Sequence, residues 1–228
     1  MISIIVPVLN EGPLIRRFLA HLRERAIGAE IVVADGGSTD GTADLAAGFC
    51  DRTIVTQPDR ARQMNAGADA AHGNILWFVH ADVEVPAGCL DEITRIMEEP
   101  NIVGGYFRIR VPGPSIYRLT DSFAHYAGML LRMRCGDHGI FCRRTAFVDI
   151  GGFPTVPLME DVEFFRRLHR CGRVAHSRRR IVVSPRRYEA IGAARLTFAY
   201  GLIAILYVFR VSLPTLASMY ERLCCQAE

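Results

Sequence analysis

The 228-residue sequence contains no lysine, so all 27 of its basic side chains are arginines. Two readings fit that absence: a genomic base-composition bias, or a preference for planar guanidinium groups that grip anions bidentately. C-x-x-C is also missing. The seven cysteines are odd in number and only Cys224 and Cys225 are adjacent. That excludes a zinc-ribbon framework and a disulfide-stapled secreted scaffold, and implies reduced, mostly buried thiols in a cytoplasmic protein. No apolar run reaches the roughly 20 residues that a spanning helix needs. Asn10, Glu11 and Arg16 interrupt the first apolar run too early for a secretory leader. Neither G-x-x-x-x-G-K-[ST] nor G-x-G-x-x-G occurs, which argues against a P-loop or a standard dinucleotide fingerprint. There is no internal repeat and no low-complexity linker. A net charge of only +3 gives no argument for a nucleic-acid partner.

What is present is a core-forming chain with uneven charge. Half of its residues are hydrophobic, enough for one large domain. The first hundred residues hold 8 Arg against 15 Asp and Glu, and the rest hold 19 Arg against 9 acids. An acidic half suits a metal and a basic half suits phosphate or an anionic surface.

The apolar pattern predicts an α/β fold. Ile2 to Val8, Glu30 to Ala34 and Asn74 to Val79 read as buried parallel strands, with a further strand over Arg52 to Thr56. Helix spacing covers Leu14 to Arg25, Thr42 to Gly48, Arg62 to Ala71 and a segment starting near Pro86. This alternation predicts a mostly parallel sheet with helices on both faces. Later come a strand over Val103 to Val111, a helix over Tyr117 to Met133 and a short strand over Gly139 to Arg143. A helix over Met159 to Arg170 follows, with two edge strands at Arg173 to His176 and Ile181 to Ser184. Leu196 to Phe209 is strongly apolar between Arg195 and Arg210, and fits a buried C-terminal helix or one lying on a membrane face.

Open α/β sheets bind ligands beyond the carboxyl ends of their strands. Asn10 and Glu11, Asp35, and Asp82 with His80 all fall at that edge. An acid before a Gly-Gly turn, as in Asp35-Gly36-Gly37, suits a base or ribose hydrogen bond, although a strand-end carboxylate also serves as a helix cap. Glu160 and Asp161 open a helix, where acids are favoured with or without a catalytic role. Arg178 to Arg180 with Arg186 and Arg187 form either a solvated stretch or an arm that closes on phosphate. Asp137 and His138 sit in a Gly-Asp-His-Gly turn.

These pieces together resemble the family 2 glycosyltransferases of the GT-A fold. The resemblance is carried by Pro7-Val8-Leu9-Asn10-Glu11, Ala34-Asp35-Gly36-Gly37-Ser38-Thr39-Asp40-Gly41-Thr42, Asn65-Ala66-Gly67 and Phe78-Val79-His80-Ala81-Asp82. In the second half, Gly136-Asp137-His138-Gly139, Gly151-Gly152-Phe153-Pro154, Met159-Glu160-Asp161 and Ser184-Pro185-Arg186-Arg187-Tyr188 resemble a subgroup named for association with radical-SAM and selenocysteine-type domains.

The resemblance implies one GT-A domain over 1–228: a nucleotide-binding half (1–100), an acceptor and catalytic half (101–190) and C-terminal helices (191–228). It implies a nucleotide-sugar pocket using Pro7, Asn10, Glu11, Asp35, Gly37, Arg62, Asn65, Ala81, Arg186 and Arg187. Asp82, joined by His80 in place of the first acid of a D-x-D motif, would hold Mg²⁺ or Mn²⁺. Asp137 and His138 would meet the acceptor or sugar. Asp161 would be the base, with Glu160 second, for an inverting transfer from a UDP-sugar to a small-molecule or lipid-linked hydroxyl. Peripheral contact with the inner membrane face through the C-terminal helices is a further expectation. The alternatives are a sugar-phosphate nucleotidyltransferase, disfavoured by the single glycine and absent basic cluster after the first strand, and a catalytically inactive nucleotide-sugar-binding protein.

Overall fold

A computed structural model describes residues 1–224, and the side chains of all of these but 116, 118–120, 123, 124 and 127. Eight strands form one sheet: β1 (Ile2–Val8), β2 (Glu30–Asp35), β3 (Arg52–Val55), β4 (Ile75–Phe78), β5 (Val83–Glu84), β6 (Ile102–Arg110), β7 (Phe141–Arg143) and β8 (Arg173–Val183), in the order β3-β2-β1-β4-β7-β6-β8-β5. The first four are mutually parallel. β7 runs antiparallel between β4 and β6, and β5 runs antiparallel to β8.

The period of two explains the central strands. Ile4, Val6 and Val8 of β1, with Ile31 and Val33 of β2, enter one apolar cluster, while Ile5 and Val32 enter another on the opposite face. Helix α1 (Gly12–Arg25) covers the first cluster through Ile15, Leu19 and Leu22. Helix α3 (Arg60–Ala70) covers the second through Ala61, Met64 and Ala68. Asp59 caps α3 by accepting from the Arg62 amide at 2.7 Å. A Cβ on Gly67 would lie 2.5 Å from Ile5 Cγ2, so only glycine lets α3 press this closely on β1. α2 (Thr42–Ala47) and α4 (Cys89–Met97) complete the first half, α4 beginning three residues after Pro86.

In the second half lie α5 (Ser115–Leu131), a 3-10 turn (Gly136–His138), α6 (Arg144–Asp149) and α7 (Glu160–Cys171). Phe147, Phe153 and Phe164 pack around Phe78 and bring the Gly151–Phe153 loop and α7 under the second cluster. Helices α8 (Arg186–Ile191), α9 (Ala193–Val208) and α10 (Leu213–Cys224) follow; Ile203, Tyr207 and Leu216 meet Val162 of α7 in a third cluster.

The expectation of two edge strands is corrected here. Residues 173–183 form one strand, paired with β6 on one side and β5 on the other. A bulge opposite Tyr106 and Arg108 absorbs the polar residues 177–179. Glu92 accepts from Ser177 Oγ and the Arg178 amide, both at 3.1 Å, so the bulge costs no unpaired donor there. Arg178, Arg179 and Arg180 are therefore strand residues and not part of an arm. Among the described cysteines all six are free thiols; Cys225 lies outside the described residues. No helix among the described residues is long and apolar enough to cross a membrane.

Candidate active site

A cavity of about 900 Å³ opens beyond the carboxyl ends of β1 and β4, the size of a substrate-binding cleft. Pro7, Glu11, His80, Ala81 and Asp82 form one wall. Asp137, His138, Glu160 and Asp161 form the floor, and Arg186 and Arg187 of α8 face them. Residues up to 180 positions apart in sequence thus meet in one place.

Two neighbouring loops are stapled by side chains. Asn10 adopts φ 52° and accepts from the Thr39 amide at 3.0 Å, while its own amide donates to Ser38 Oγ at 2.8 Å. Asp35 is buried; its Oδ1 accepts from the Gly37 and Ser38 amides at 2.8 and 2.7 Å, and its Oδ2 has no partner. Asp35, the last residue of β2, and Gly37 are not among the residues lining the cavity, although Asp35 Oδ2 is an acceptor to spare.

Gln63 was not anticipated from sequence. Its Nε2 donates to the Val8 and Ala34 carbonyls at 2.7 and 2.9 Å, bracing the ends of β1 and β2. Gln63→Ala is expected to remove both bonds, leaving the Val8 carbonyl with only the Gly36 amide at 2.9 Å, and to cost about 1–3 kcal/mol in urea denaturation.

Arg62 and Asn65 are placed away from the cleft. Arg62 is exposed and donates to Gln57. Asn65 exchanges hydrogen bonds with the Phe153 backbone, 2.9 Å outward and 2.8 Å inward. The arginine that lines the cleft is Arg60, two residues earlier, paired with Glu160 at 3.1 Å. Burial opposes its charge, but Asp161, Glu160 and Asp137 raise its pKa further.

Three potential metal ligands converge. One donor atom from each of His80, Asp82 and Asp137 falls within 4.8 Å of the others. His80 Nδ1 lies 3.1 Å from Asp137 Oδ1; His80 Nε2 and Asp82 Oδ1 are buried with no partner. Two carboxylates and an imidazole with spare acceptor atoms fit a divalent cation. Burial and then Asp137 push Asp82 above the usual carboxylate range. Burial works the same way on Asp137, but the hydrogen bond and charge of His80, with Arg60 and Arg187, hold it well below that range. Burial disfavours protonated His80, yet Asp137 holds its pKa above the ordinary value.

Asp161 and Glu160 open α7, both buried. Asp161 Oδ2 accepts from the Gly136 amide at 2.8 Å, and Oδ1 is buried without a partner. Burial, then the Glu160 charge, push Asp161 up to about 6 against the pull of His80 and Arg60. Gly136 therefore touches both centres: a Cβ there would collide with the His80 ring and lie 3.0 Å from Asp161 Oδ2. Gly136→Ala is expected to lower turnover on the order of 100-fold, because shifts of about 1 Å at reacting groups cost that much. Steady-state kinetics read it, and Mn²⁺ titration should weaken in the same variant.

His138 is a wall residue with a structural partner. Its Nδ1 sits 3.0 Å from the Phe107 carbonyl, and burial followed by Arg134 lowers its pKa to about 4. Arg186 reaches Glu11 at 3.5 Å, so α8 closes across the end of β1. Beyond these polar groups the cavity continues as an apolar arm between Leu131, Met133, Tyr200, Ile203 and Tyr220. Sequence pattern gave no signal for this arm.

A mixed sheet with its acids and arginines gathered past the parallel strand ends is the GT-A arrangement, the class of sugar-nucleotide enzymes. Residues 3–151 match the sequence profile of glycosyl transferase family 2, and the chain belongs to that family. An uncharacterised Mycobacterium tuberculosis protein, MT1568, is 28% identical over 74% of this chain and 61% of its own length. The chain thus spans about three fifths of that relative. Among solved structures, a mannosyltransferase from Pyrobaculum calidifontis, PcManGT, in complex with GDP-Man and Mn²⁺, superposes with a TM-score of 0.72 at 21% identity, covering 99% of this chain and 72% of its own. S. aureus TarS in complex with UDP-GlcNAc gives a TM-score of 0.64 at 17% identity, covering 80% of this chain and 58% of its own.

Proposed function

We propose that the protein transfers a sugar from a nucleoside-diphosphate sugar, UDP-linked by expectation, to an acceptor hydroxyl with inversion at the sugar carbon. The observation that carries this is the cleft itself: three potential cation ligands and a buried carboxylate with a free oxygen come together at Gly136. The complexes of PcManGT with GDP-Man and Mn²⁺ and of TarS with UDP-GlcNAc support the donor class.

Each residue then has a task. The free Asp35 oxygen accepts from the base, and Pro7, Asn10, Glu11 and Gly37 shape the nucleoside side. His80, Asp82 and Asp137 would hold Mn²⁺ or Mg²⁺, and the cation when bound offsets the charge that develops on the departing diphosphate. Arg187, and Arg186 once released from Glu11, add charge-assisted hydrogen bonds to the same phosphates. Asp161 Oδ1 removes the acceptor proton as the acceptor oxygen attacks the anomeric carbon, and the bond from that carbon to the diphosphate breaks. Arg60 holds Glu160 beside it. The acceptor reaches Asp161 along the apolar arm, which favours a lipid-linked or otherwise hydrophobic molecule.

Thermal-shift titration tests the donor side. UDP- and GDP-sugars are expected to raise Tm only with Mn²⁺ or Mg²⁺ present, by RT ln(1 + [L]/Kd) in stability. No shift with any nucleotide sugar, with or without the cations, would remove the proposal.

A further inference from the structure

Helix α9 is apolar on both sides. Its inner side buries Leu196, Ala199, Ile203 and Tyr207. Its outer side leaves Phe198, Ile205 and Val208 exposed, with Phe209 just beyond. A helix apolar all round is normally enclosed; this one has water where a second partner belongs. The end of α5, which packs against α9, repeats the pattern with Tyr126, Met129, Leu130 and Leu131, Leu130 being 84% exposed. Of the fifteen exposed large apolar side chains among the described residues, seven lie on these two touching helices and an eighth, Phe209, directly follows α9. Scattered apolar residues need no explanation, but this concentration does.

The charges at its margin select the occupant. Arg132 ends α5, Arg195 stands in the first turn of α9 and Arg210 follows its last turn, all exposed. None has a carboxylate within ion-pair distance among the described residues. α9 carries no acid, and the one acid of α5, Asp121, is turned inward onto the Val111 amide at 3.0 Å. A second copy of the chain would set these arginines against one another. A bilayer with anionic headgroups takes up both the apolar side chains and the arginines. The apolar arm joins this face, because its lining residues Leu131, Thr197 and Ala204 are chain neighbours of the exposed Leu130, Phe198 and Ile205.

We propose that the α5–α9 face docks on an anionic lipid surface and that the apolar arm takes its acceptor, an amphiphile bearing the hydroxyl, directly from that surface. The docking stands on the face alone; the acceptor half rests on the transferase reading. The test is co-sedimentation of the full chain with phosphatidylcholine vesicles, with and without phosphatidylglycerol, at low and high salt, alongside calorimetric UDP binding in Mn²⁺. Binding is expected only with phosphatidylglycerol, weaker at high salt. It should fall about tenfold or more in Phe198→Ser/Ile205→Ser, since each change removes apolar area that docking would bury. Both positions are exposed and outside the catalytic machinery, so UDP binding should be unchanged. Loss of UDP binding in the wild type would count against the transferase reading and leave the docking result to be judged alone. No sedimentation with either vesicle, equal sedimentation of wild type and variant, or a concentration-dependent dimer that the same substitutions abolish would each overturn the proposal.

Discussion

Replacing Asp161 with Asn is expected to lower turnover by about 10²–10⁴-fold, the range attributed to a general base, while UDP binding in Mn²⁺ stays within about twofold of the wild type. The substitution keeps an oxygen for the Gly136 amide and removes only the capacity to take a proton. Its pH behaviour separates it from a structural lesion. Burial and Glu160 hold Asp161 up to about 6, so in the wild type the active, ionised form is lost as pH falls through about 6. The kcat/KM profile should drop tenfold per unit below that point, and the Asn variant should lack this limb. The linkage to stability has the opposite direction. An acid whose folded pKa is raised stabilises the fold most below its unfolded value, and that contribution is lost as pH rises through the folded value. At pH 7 the wild type therefore carries an unfavourable buried charge, and Asp161→Asn should melt no lower than the wild type. A variant that loses both turnover and several degrees of Tm would mean that Asp161 holds the fold rather than the proton.

Asp82→Ala should weaken Mn²⁺-dependent UDP binding on the order of 100-fold, or about 2.7 kcal/mol. Asp82 Oδ1 has no partner among the described residues, and burial and Asp137 already disfavour its charge. Removing it relieves a buried charge whose burial and repulsion from Asp137 outweigh its attraction to His80 and Arg187, so Tm without metal should not fall. UDP binding measured in EDTA should be the same in both proteins, which isolates the effect to the cation. Unchanged affinity in Mn²⁺ would sink the metal role of Asp82 and leave His80 and Asp137 without their centre.

Much of this was legible in the sequence where the chain is regular and local. β1, β2 and β4 are nearly continuous β-branched or aromatic runs, and their ends alone put Asn10, Asp35 and Asp82 at the carboxyl edge. What was not legible depends on distant partners. Arg178 to Arg180 look like a solvated stretch until Glu92, more than eighty residues earlier, satisfies the bulge that carries them through the sheet. Arg62 and Arg60 look interchangeable in Arg60-Ala61-Arg62. The Asp59 cap sets the helix phase that turns Arg62 outward to Gln57 and leaves Arg60 facing Glu160. Asp137 stands in a turn expected to meet acceptor or sugar, yet its carboxylate lies with His80 and Asp82. Fifty-five residues separate it from Asp82, and no spacing rule spans that distance. The apolar arm is drawn from α5, α9 and α10 together, and none of the three stretches marks it alone.

The most direct measurement is the identity of the released nucleotide. The purified protein is incubated with Mn²⁺, a UDP- or GDP-sugar and a polyisoprenoid or other amphiphilic alcohol, and products are followed by phosphorus NMR. The account predicts a nucleoside diphosphate, formed in proportion to glycosylated alcohol and absent in Asp161→Asn. Pyrophosphate formed from a nucleoside triphosphate and a sugar phosphate, with no diphosphate from any nucleotide sugar, would contradict it.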